Sequence, residues 1–380
     1  MDVRSLPFAQ SSALEPSPAL DHLRTEGLSR IATAEGVPAW LATSYDVVSL
    51  VLTDSRFGVS PPGTGYEGNN TLFQDGPAHT RLRKCVSGAF GARRVSGMAE
   101  RVSRSAAELV TTMAASGPPA DFVAMVAAPM SASVIADLLG IGAEDHLRFR
   151  DCADVALMSE TSDGGAAAMR GFQELTTYAA ELVAAKRRQP GVDLISSLID
   201  RHLADDELVG MIISLVGGGY VSTRNAIAVA VIQLLTEGRL SAVAVDGAGS
   251  ALAMEEVLRR QAGLTGNPLP RWAHQDLVVN GRRVAAGDMI LIALEGANRD
   301  PARFADAAAL RTDRDPNPHL AFGRGPHHCP GAALARLEIG AVMRALARQV
   351  PGVSLAGPVD KIDWRRGHVD AGPLSLWVTW

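Results

Sequence analysis

The feature that most restricts the fold of this chain is one long apolar run, LVGMIISLVGGGYVSTRNAIAVAVIQLL, at residues 208–235. By length alone this run qualifies as a membrane span. It contains three consecutive glycines at 217–219 and Arg224 near its centre, however, and a charge at that depth of a bilayer is costly. We therefore predict a helix buried in a protein core. Because the glycines have no side chains, something bulky is expected to approach the backbone there.

Helical and strand patterns elsewhere set the fold class. Apolar residues recur about every 3.6 positions over 98–139 and 166–202, which predicts amphipathic helices. Two β-rich runs within 275–294 flank an Asn-Gly pair that is typical of a hairpin turn. We expect a mainly α fold with small β-sheets. We predict a single domain over residues 1–380, with about the first twenty residues forming a loose N-terminus.

Composition argues against several classes of partner. Hydrophobic residues make up 47% of the chain, charged residues 20%, and the net charge is -5, so neither nucleic acid nor a membrane surface has electrostatic support as a partner. The first thirty residues contain no apolar stretch of signal-peptide length. The three cysteines are far apart and odd in number, which suits a reducing compartment. We expect a cytoplasmic monomer.

One of these cysteines has unusual surroundings. Cys329 lies within AFGRGPHHCPG, where neighbouring glycines allow the backbone to pass close to something flat or bulky. The following run reads as a helix with Pro330 in its first turn, where a missing N–H is harmless. Cys329 is therefore expected at a helix N-terminus, where free N–H groups favour a thiolate. For Cys85 and Cys152 we expect only small buried side chains.

Three chemistries use such a thiolate. A zinc site needs further ligands, and the adjacent His327 and His328 cannot easily join Cys329 on one tetrahedral ion. A nucleophilic cysteine needs a general base, and adjacent histidines rarely point correctly. Axial ligation of haem iron needs one thiolate, close backbone approach and cations for the propionates.

The spacing of the loop resembles the haem-binding loop of the cytochrome P450 family: Phe322-Gly-x-Gly-x-His327-x-Cys329-x-Gly331. This resemblance implies haem b as cofactor, with Cys329 as the thiolate ligand of the iron. It also implies that His327 faces a haem propionate and that Phe322 packs beside the thiolate. Gly323 and Gly331 would let the backbone approach the haem.

Further landmarks occur in the family's order over roughly residues 40–380. Glu256-x-x-Arg259 resembles the family's structural pair, with spacing that puts both side chains on one helix face, and Arg303 in PARF would complete it. Three more cations match residues of the family that bind the haem propionates by charge-assisted bonds. They are His79, Arg83 and Arg271.

The distal motif departs from the family pattern. The family usually carries an acid and a threonine that relay protons to bound oxygen, whereas here the aligned residues are Val221 and Ser222, after Gly218. Helical geometry predicts one stripe facing the haem, with Arg224 pointing away. The stripe comprises Ser214, Gly218, Val221, Ser222 and Asn225. A one-residue slip would use Thr223 instead.

The resemblance implies an enzyme that activates O2 to oxidise a small, largely apolar or aromatic natural product, in bacterial secondary metabolism. Electrons from NAD(P)H would arrive through a ferredoxin and a ferredoxin reductase. Without the distal acid, either hydroxylation proceeds through Ser222, water and substrate groups, or oxidation occurs without oxygen insertion, as in coupling or ring closure. Two alternatives stay open: a haem-thiolate enzyme that uses peroxide or needs no external electrons, and a non-catalytic haem-binding protein.

Overall fold

The apolar run forms the central helix of the molecule. In the computed structural model, α-helix Asp205–Val216, a π-helical turn Gly217–Val221 and α-helix Ser222–Thr236 follow one another directly. An acidic first turn, Asp205 to Glu207, suits the positive end of the helix dipole. Among the described residues this is the one helix long and apolar enough to cross a membrane, but 72% of its apolar window is buried inside the protein. The prediction of a core helix is confirmed.

The structure describes residues 5–10, 12–64, 72, 74–158, 165–244, 247–265, 269–365 and 371–380. Its α-helices in chain order are α1 Ala19–Glu26, α2 Tyr45–Thr53, α3 Gly76–Ser87, α4 Ala92–Ala115, α5 Ala128–Leu139, α6 His146–Met158, α7 Ala166–Arg188, α8 Leu194–Ile199, α9 Asp205–Val216, α10 Ser222–Thr236, α11 Ala248–Gln261, α12 Leu294–Ala297 and α13 Ala332–Gln349. We call the continuous run of α9, the π turn and α10 the distal helix.

The strands are short and form small sheets at the periphery. In chain order they are β1 Leu28–Ala32, β2 Pro38–Ala42, β3 Phe57–Gly58, β4 Ala120–Asp121, β5 Arg271–Ala273, β6 Leu277–Val279, β7 Arg282–Val284, β8 Met289–Ile292, β9 Ser354–Leu355, β10 Trp364–Arg365, β11 Gly372–Pro373 and β12 Trp377–Thr379. The largest sheet has the order β1-β2-β8-β5-β3. The predicted fold class, mainly α with small sheets, is confirmed.

The predicted hairpin is present between β6 and β7. Asn280 and Gly281 have positive φ angles of 47° and 74°, as a two-residue primed turn requires. The predicted helical region 98–139 is interrupted, because α4 ends at Ala115 and Gly117, with φ 78°, turns the chain into β4. The region 166–202 is divided between α7 and α8, since Pro190 lacks the N–H needed to continue a helix.

Helices α4, α5, α10 and α13 pack around one large apolar core. The described part of the first twenty residues packs on the body of the protein. Ser5 forms a bridge with Ala32, the Ser17 hydroxyl donates to the Ala9 carbonyl at 2.7 Å, and Leu14 is buried. Those residues are thus attached where we expected a loose segment.

Candidate active site

A cavity of about 390 Å³ lies between the Cys329 loop and the distal helix. Cys329, Pro330 and Gly331 line one side, and Ser214, Gly218 and Ser222 line the opposite side. A volume of this order suits an organic ligand or cofactor. The two sequence regions that we singled out independently therefore face one space.

The Cys329 loop is held in a fixed shape by its backbone. The Cys329 N–H donates to the Phe322 carbonyl at 2.9 Å. Gly323 and Gly325 have φ angles of 67° and 76°, a conformation that favours glycine. A Cβ on Gly325 would lie 2.5 Å from the Leu52 carbonyl oxygen, so the loop also needs glycine to pack on α2.

Opposing effects act on the Cys329 thiol. Burial raises its pKa and outweighs a hydrogen bond from the Gly331 N–H and the nearby charges of Arg83 and Arg336, which lower it, so the net pKa of the thiol is raised. The Ala332 N–H is directed to the Cys329 carbonyl oxygen instead, at 3.5 Å. The protein thus provides partial support for a thiolate, and a metal ion bound to sulfur would complete the deprotonation.

Cations gather at one edge of the cavity. The rings of His79 and His327 stack with centroids 4.2 Å apart. Arg83 donates to the His328 carbonyl, and the Arg271 guanidinium donates to the Leu269 and Pro270 carbonyls at 2.8 and 3.3 Å. Burial lowers the pKa of both arginines. These four side chains, predicted from separate stretches of sequence, are brought together.

His79 is the most informative member of this group. Its Nε2 atom is buried and has no hydrogen-bond partner among the residues that the structure describes. Burial, with the neighbouring charges of His327 and Arg83 adding to it, lowers the pKa of His79 to about 4. A buried polar atom without a partner is costly, so this site suits an anionic group that accepts a hydrogen bond.

Asp75, a residue that we did not single out, precedes α3 at the same edge. Its carboxylate accepts from His327 Nε2 at 3.0 Å and from the Val59 N–H at 2.7 Å. Burial acts to raise its pKa, but these hydrogen bonds outweigh burial and the net pKa is lowered. Asp75 therefore orients His327.

The predicted structural pair is present and fully buried. Arg259 donates to both oxygens of Glu256 at 2.8 Å, and also to the carbonyls of Asn298, Ala307 and Ala309. A paired and hydrogen-bonded ion pair of this kind can persist in a core.

The third member of this network is Arg314, and the prediction of Arg303 is wrong. Arg314 Nε lies 2.9 Å from Glu256 Oε2 and its side chain is buried. Arg303 is exposed on the turn after Asp300, where its guanidinium lies over the Tyr45 ring at 5.1 Å. Sequence spacing alone cannot show which arginine of this segment reaches Glu256, because the segment is irregular and its path depends on tertiary packing.

A second polar network beside the Cys329 loop was missed. Arg336 donates to both oxygens of Glu255 at 2.6 and 2.8 Å, and His319 Nε2 lies 3.0 Å from the same carboxylate. Arg336 also lies over the Phe322 ring at 4.5 Å. Despite burial, these hydrogen bonds lower the pKa of Glu255 to about 2. Phe322 is thus fixed from outside the loop.

The distal helix presents a different stripe from the predicted one. Gly219, Thr223 and Ala226 line the cavity together with Gly218 and Ser222. Val221 is buried elsewhere, and Asn225 packs on Gly372, so the prediction that these two face the cavity is wrong. The π turn, with its wider spacing, displaces the α-helical stripe. Arg224 points away as expected, towards the Pro373 and Leu374 carbonyls at 3.4 and 3.3 Å.

Glu338 on α13 is another residue that sequence reasoning did not identify. It lines the cavity, is only 1% exposed, and its Oε2 atom has no hydrogen-bond partner within the described part of the chain. Burial raises its pKa well above the usual range. Its side chain is therefore expected to be a neutral carboxylic acid at pH 7.

Together these residues fit a haem group. The thiol of Cys329 opens onto the cavity, and the cationic edge contains an orphaned buried donor, His79 Nε2, as a propionate would require. Cys329 would ligate the iron, and His79, Arg83, Arg271 and His327 would hold the propionates.

Comparisons with known proteins show the family of the chain. Residues 252–349 match the family model described as Cytochrome P450. The chain is 36% identical to the mycinamicin IV hydroxylase/epoxidase of Micromonospora griseorubida, covering 99% of this chain and 98% of that protein. It is also 36% identical to the nocardicin C N-oxygenase of Nocardia uniformis subsp. tsuyamanensis, covering 100% and 99%.

Solved structures extend the match to the whole fold. A cytochrome P450 described as having biaryl coupling reactivity superposes with a TM-score of 0.87 at 34% identity, covering 100% of both chains. Identity at this level over complete chains, together with the Cys329 loop and its cationic edge, identifies the chain as a member of the cytochrome P450 family and a haem-dependent monooxygenase.

Proposed function

We propose that this enzyme uses Cys329 as the haem thiolate ligand and oxidises a small, largely apolar or aromatic natural product of bacterial secondary metabolism. The observation that carries the proposal is one cavity that joins the Cys329 thiol, a cationic edge and an apolar wall beneath the distal helix. Haem bound there would supply activation of O2 with two electrons delivered singly.

The chain's own residues have separate tasks in this proposal. Arg83, Arg271 and His327 would hold the two propionates, and His79, a neutral imidazole, would donate a hydrogen bond to one of them. The Gly331 N–H stabilises negative charge on sulfur. Because the Pro330 nitrogen carries no hydrogen, one further donor is absent, and more electron density remains on the sulfur.

The wall of the cavity indicates the substrate class. Leu72, Ile135, Leu215, Ala226 and Leu269 make much of it apolar. The polar side chains on the distal side are neutral, such as Ser214, Ser222, Thr223 and Thr265. An apolar or aromatic molecule with a few hydroxyl or carbonyl groups fits such a wall better than a charged metabolite.

Either type of oxidation needs a supply of protons. Hydroxylation consumes substrate, O2, two electrons and two protons, and yields the hydroxylated product and water. The Ser222 hydroxyl, on the cavity wall, donates to the Gly218 carbonyl at 2.6 Å and is the group we assign to hold and pass these protons, with ordered water. Coupling or ring closure also consumes O2, two electrons and two protons, removes two hydrogen atoms from the substrate, and yields the product and two water molecules. Relatives of both kinds are known, since the proteins compared include a hydroxylase/epoxidase and one with biaryl coupling reactivity.

Electrons would come from NAD(P)H through a ferredoxin reductase and a ferredoxin, with the enzyme acting as a cytoplasmic monomer. A ferredoxin brings one electron at a time, which matches the single-electron steps that a haem centre requires.

A second candidate, a peroxide-using enzyme, is favoured by one observation. Val221 replaces the acid that the family usually carries, and a peroxide brings its own oxygen, electrons and protons, so that it depends less on a relay. Turnover with peroxide and none with any ferredoxin system would support this candidate.

The test has two stages. Purified ferric enzyme is titrated with a natural-product library, and binders are recognised because they displace iron-bound water and shift the spin state. Each binder is then incubated with NADPH, a ferredoxin and a ferredoxin reductase, and products are weighed by mass spectrometry. Gain of one oxygen atom indicates insertion, and loss of two hydrogens indicates coupling or ring closure. Spin-state binders with no consumption of reducing equivalents would contradict the proposed oxidase and favour a non-catalytic role.

A further inference from the structure

The π turn of the distal helix is supported by side chains in an unusual way. Three consecutive backbone carbonyls lie within hydrogen-bond distance of two serine hydroxyls, which carry one hydrogen each. Ser222 Oγ donates to Gly218 O at 2.6 Å, and Ser131 Oγ on α5 contacts Gly219 O at 3.3 Å and Tyr220 O at 2.6 Å. A π turn displaces carbonyls from their usual amide partners, so the hydroxyls replace bonds that an α-helix would make itself.

The same turn is anchored from the other side by a tyrosine. Tyr220 is fully buried, and its hydroxyl donates to Asp154 Oδ1 on α6 at 2.7 Å. Burial raises the pKa of Tyr220, with Asp154 adding to the shift, so the phenol stays a neutral donor at ordinary pH. Tyr220 does not line the cavity. It therefore acts on the helix rather than on a ligand.

The glycines at this turn give its backbone little intrinsic preference between the α-helical and the π-helical geometry. Gly219 packs so closely on α5 that a Cβ there would lie 2.4 Å from Ile135 Cδ1, whereas Gly218 has no atom within 4 Å of such a position. Glycine favours neither the α nor the π geometry strongly. The register of the turn must consequently be set by its anchors on α5 and α6.

Helix α6 is itself firmly held. Gly171 of α7 lies so near the α6 backbone that a Cβ would be 2.5 Å from Ala156 N. The two helices thus pack as one unit beside the distal helix, and Asp154 offers a fixed acceptor to Tyr220.

We propose that Tyr220, Asp154 and Ser131 are positioning residues that keep the π turn in register and so hold the Ser222 hydroxyl on the cavity wall. The proposal deepens the proposed function and rests on it. When the Tyr220 anchor is lost, the turn is expected to relax towards α-helical geometry. That change rotates Ser222 and returns the Gly218 carbonyl to an amide donor.

The test compares holoenzymes of Tyr220→Phe, Asp154→Leu and Asp154→Asn with unmodified protein. Tyr178→Phe is the matched control, because the Tyr178 hydroxyl is buried on α7 and no described residue forms a hydrogen bond with it. Amide hydrogen exchange is measured over residues 217–223, together with the infrared C–O stretch of carbon monoxide on the reduced haem. The C–O stretch reports polar groups on the distal side.

We expect exchange over 217–223 to rise roughly tenfold in Tyr220→Phe and Asp154→Leu, since one charge-assisted hydrogen bond is lost. The C–O band should shift towards the position that Ser222→Ala gives. Asp154→Asn keeps an acceptor oxygen and should resemble unmodified protein, as should Tyr178→Phe. Tyr220→Phe combined with Ser222→Ala should match Ser222→Ala alone.

Exchange and C–O bands of Tyr220→Phe and Asp154→Leu equal to those of Tyr178→Phe would overturn the proposal. Asp154 is only half-buried, so Asp154→Leu keeps the test decisive if Tyr220→Phe fails to fold. Failure of the proposed function is distinguishable, because unmodified protein would then lack sulfur-ligated haem, whereas the exchange rates depend on neither substrate nor electron donor.

Discussion

The two sides of the cavity are built on different principles. On the Cys329 side, buried charges are paired in networks with many hydrogen bonds, centred on Glu255 and Glu256. On the distal side, glycines, hydroxyl groups and a π turn replace charged groups along the cavity wall. The Cys329 side carries the loop that resembles the family's haem-binding loop, and the distal side departs from the family pattern at Val221. We expect substitutions on the Cys329 side to reduce stability or haem retention. We expect substitutions on the distal side to alter how efficiently electrons are converted into product.

The largest expected effect is on the Glu256 network. Glu256→Gln leaves Arg259 and Arg314 without their carboxylate in the core, which should cost about 3–5 kcal/mol of unfolding free energy. Arg314→Gln should be similarly harmful. Arg303→Gln, the control, should change stability by no more than about 0.5 kcal/mol because Arg303 is exposed. Urea unfolding of the three variants checks this, and a large loss in Arg303→Gln would contradict the assignment of Arg314.

That comparison also shows what sequence could provide. The Cys329 loop, the Glu256–Arg259 pair and the scattered propionate-type cations were predicted because each depends on short spacing or one helix face. Arg314 was not, since it reaches Glu256 through an irregular segment whose path depends on tertiary packing. The same holds for Asp75 and Glu255, whose roles depend on contacts with His327 and Arg336 across the fold.

A smaller effect is expected at the cationic edge. His79→Ala and Arg271→Leu each remove a donor for a propionate, and we expect haem to transfer to apomyoglobin roughly 10- to 100-fold faster. Arg81→Gln is the control, because Arg81 lies on the same helix but pairs with Glu207 near the surface. Equal rates of haem transfer for His79→Ala and Arg81→Gln would show that His79 does not bind the haem.

Substitutions on the distal side should change the fraction of consumed electrons that appears in product, rather than the stability of the protein. Ser222→Ala is expected to lower the fraction of electrons recovered in product by about tenfold, less than a full general acid would contribute because water can substitute. Thr223→Val tests the alternative register, since Thr223 also lines the cavity. The product yield per NADPH consumed is measured for both variants. A larger loss in Thr223→Val than in Ser222→Ala would assign the proton relay to Thr223.

The distal helix shows why some of this site was beyond sequence reasoning. Its burial was predicted from its apolar composition, from Arg224 and from the three glycines at 217–219. Ser214, Gly218 and Ser222 line the cavity as predicted, whereas Val221 and Asn225 do not, because the helix contains a π turn whose contacts with Ser131 and Asp154 come from other helices.

The smallest effect is expected at Pro330. Pro330→Ala restores a backbone N–H next to the sulfur, and one added hydrogen bond should raise the haem reduction potential by on the order of 40 mV. Potentiometric titration of both proteins measures this. An unchanged potential would mean that the Gly331 N–H already satisfies the sulfur.

The central claim is the bond between the Cys329 sulfur and haem iron, and the carbon monoxide spectrum of the reduced enzyme tests it most directly. Unmodified protein should show the red-displaced band of thiolate coordination, Cys152→Ala should show the same band, and Cys329→His should lack it. Colourless unmodified protein after expression with ample porphyrin, or a sulfur-type band retained in Cys329→His, would contradict the account.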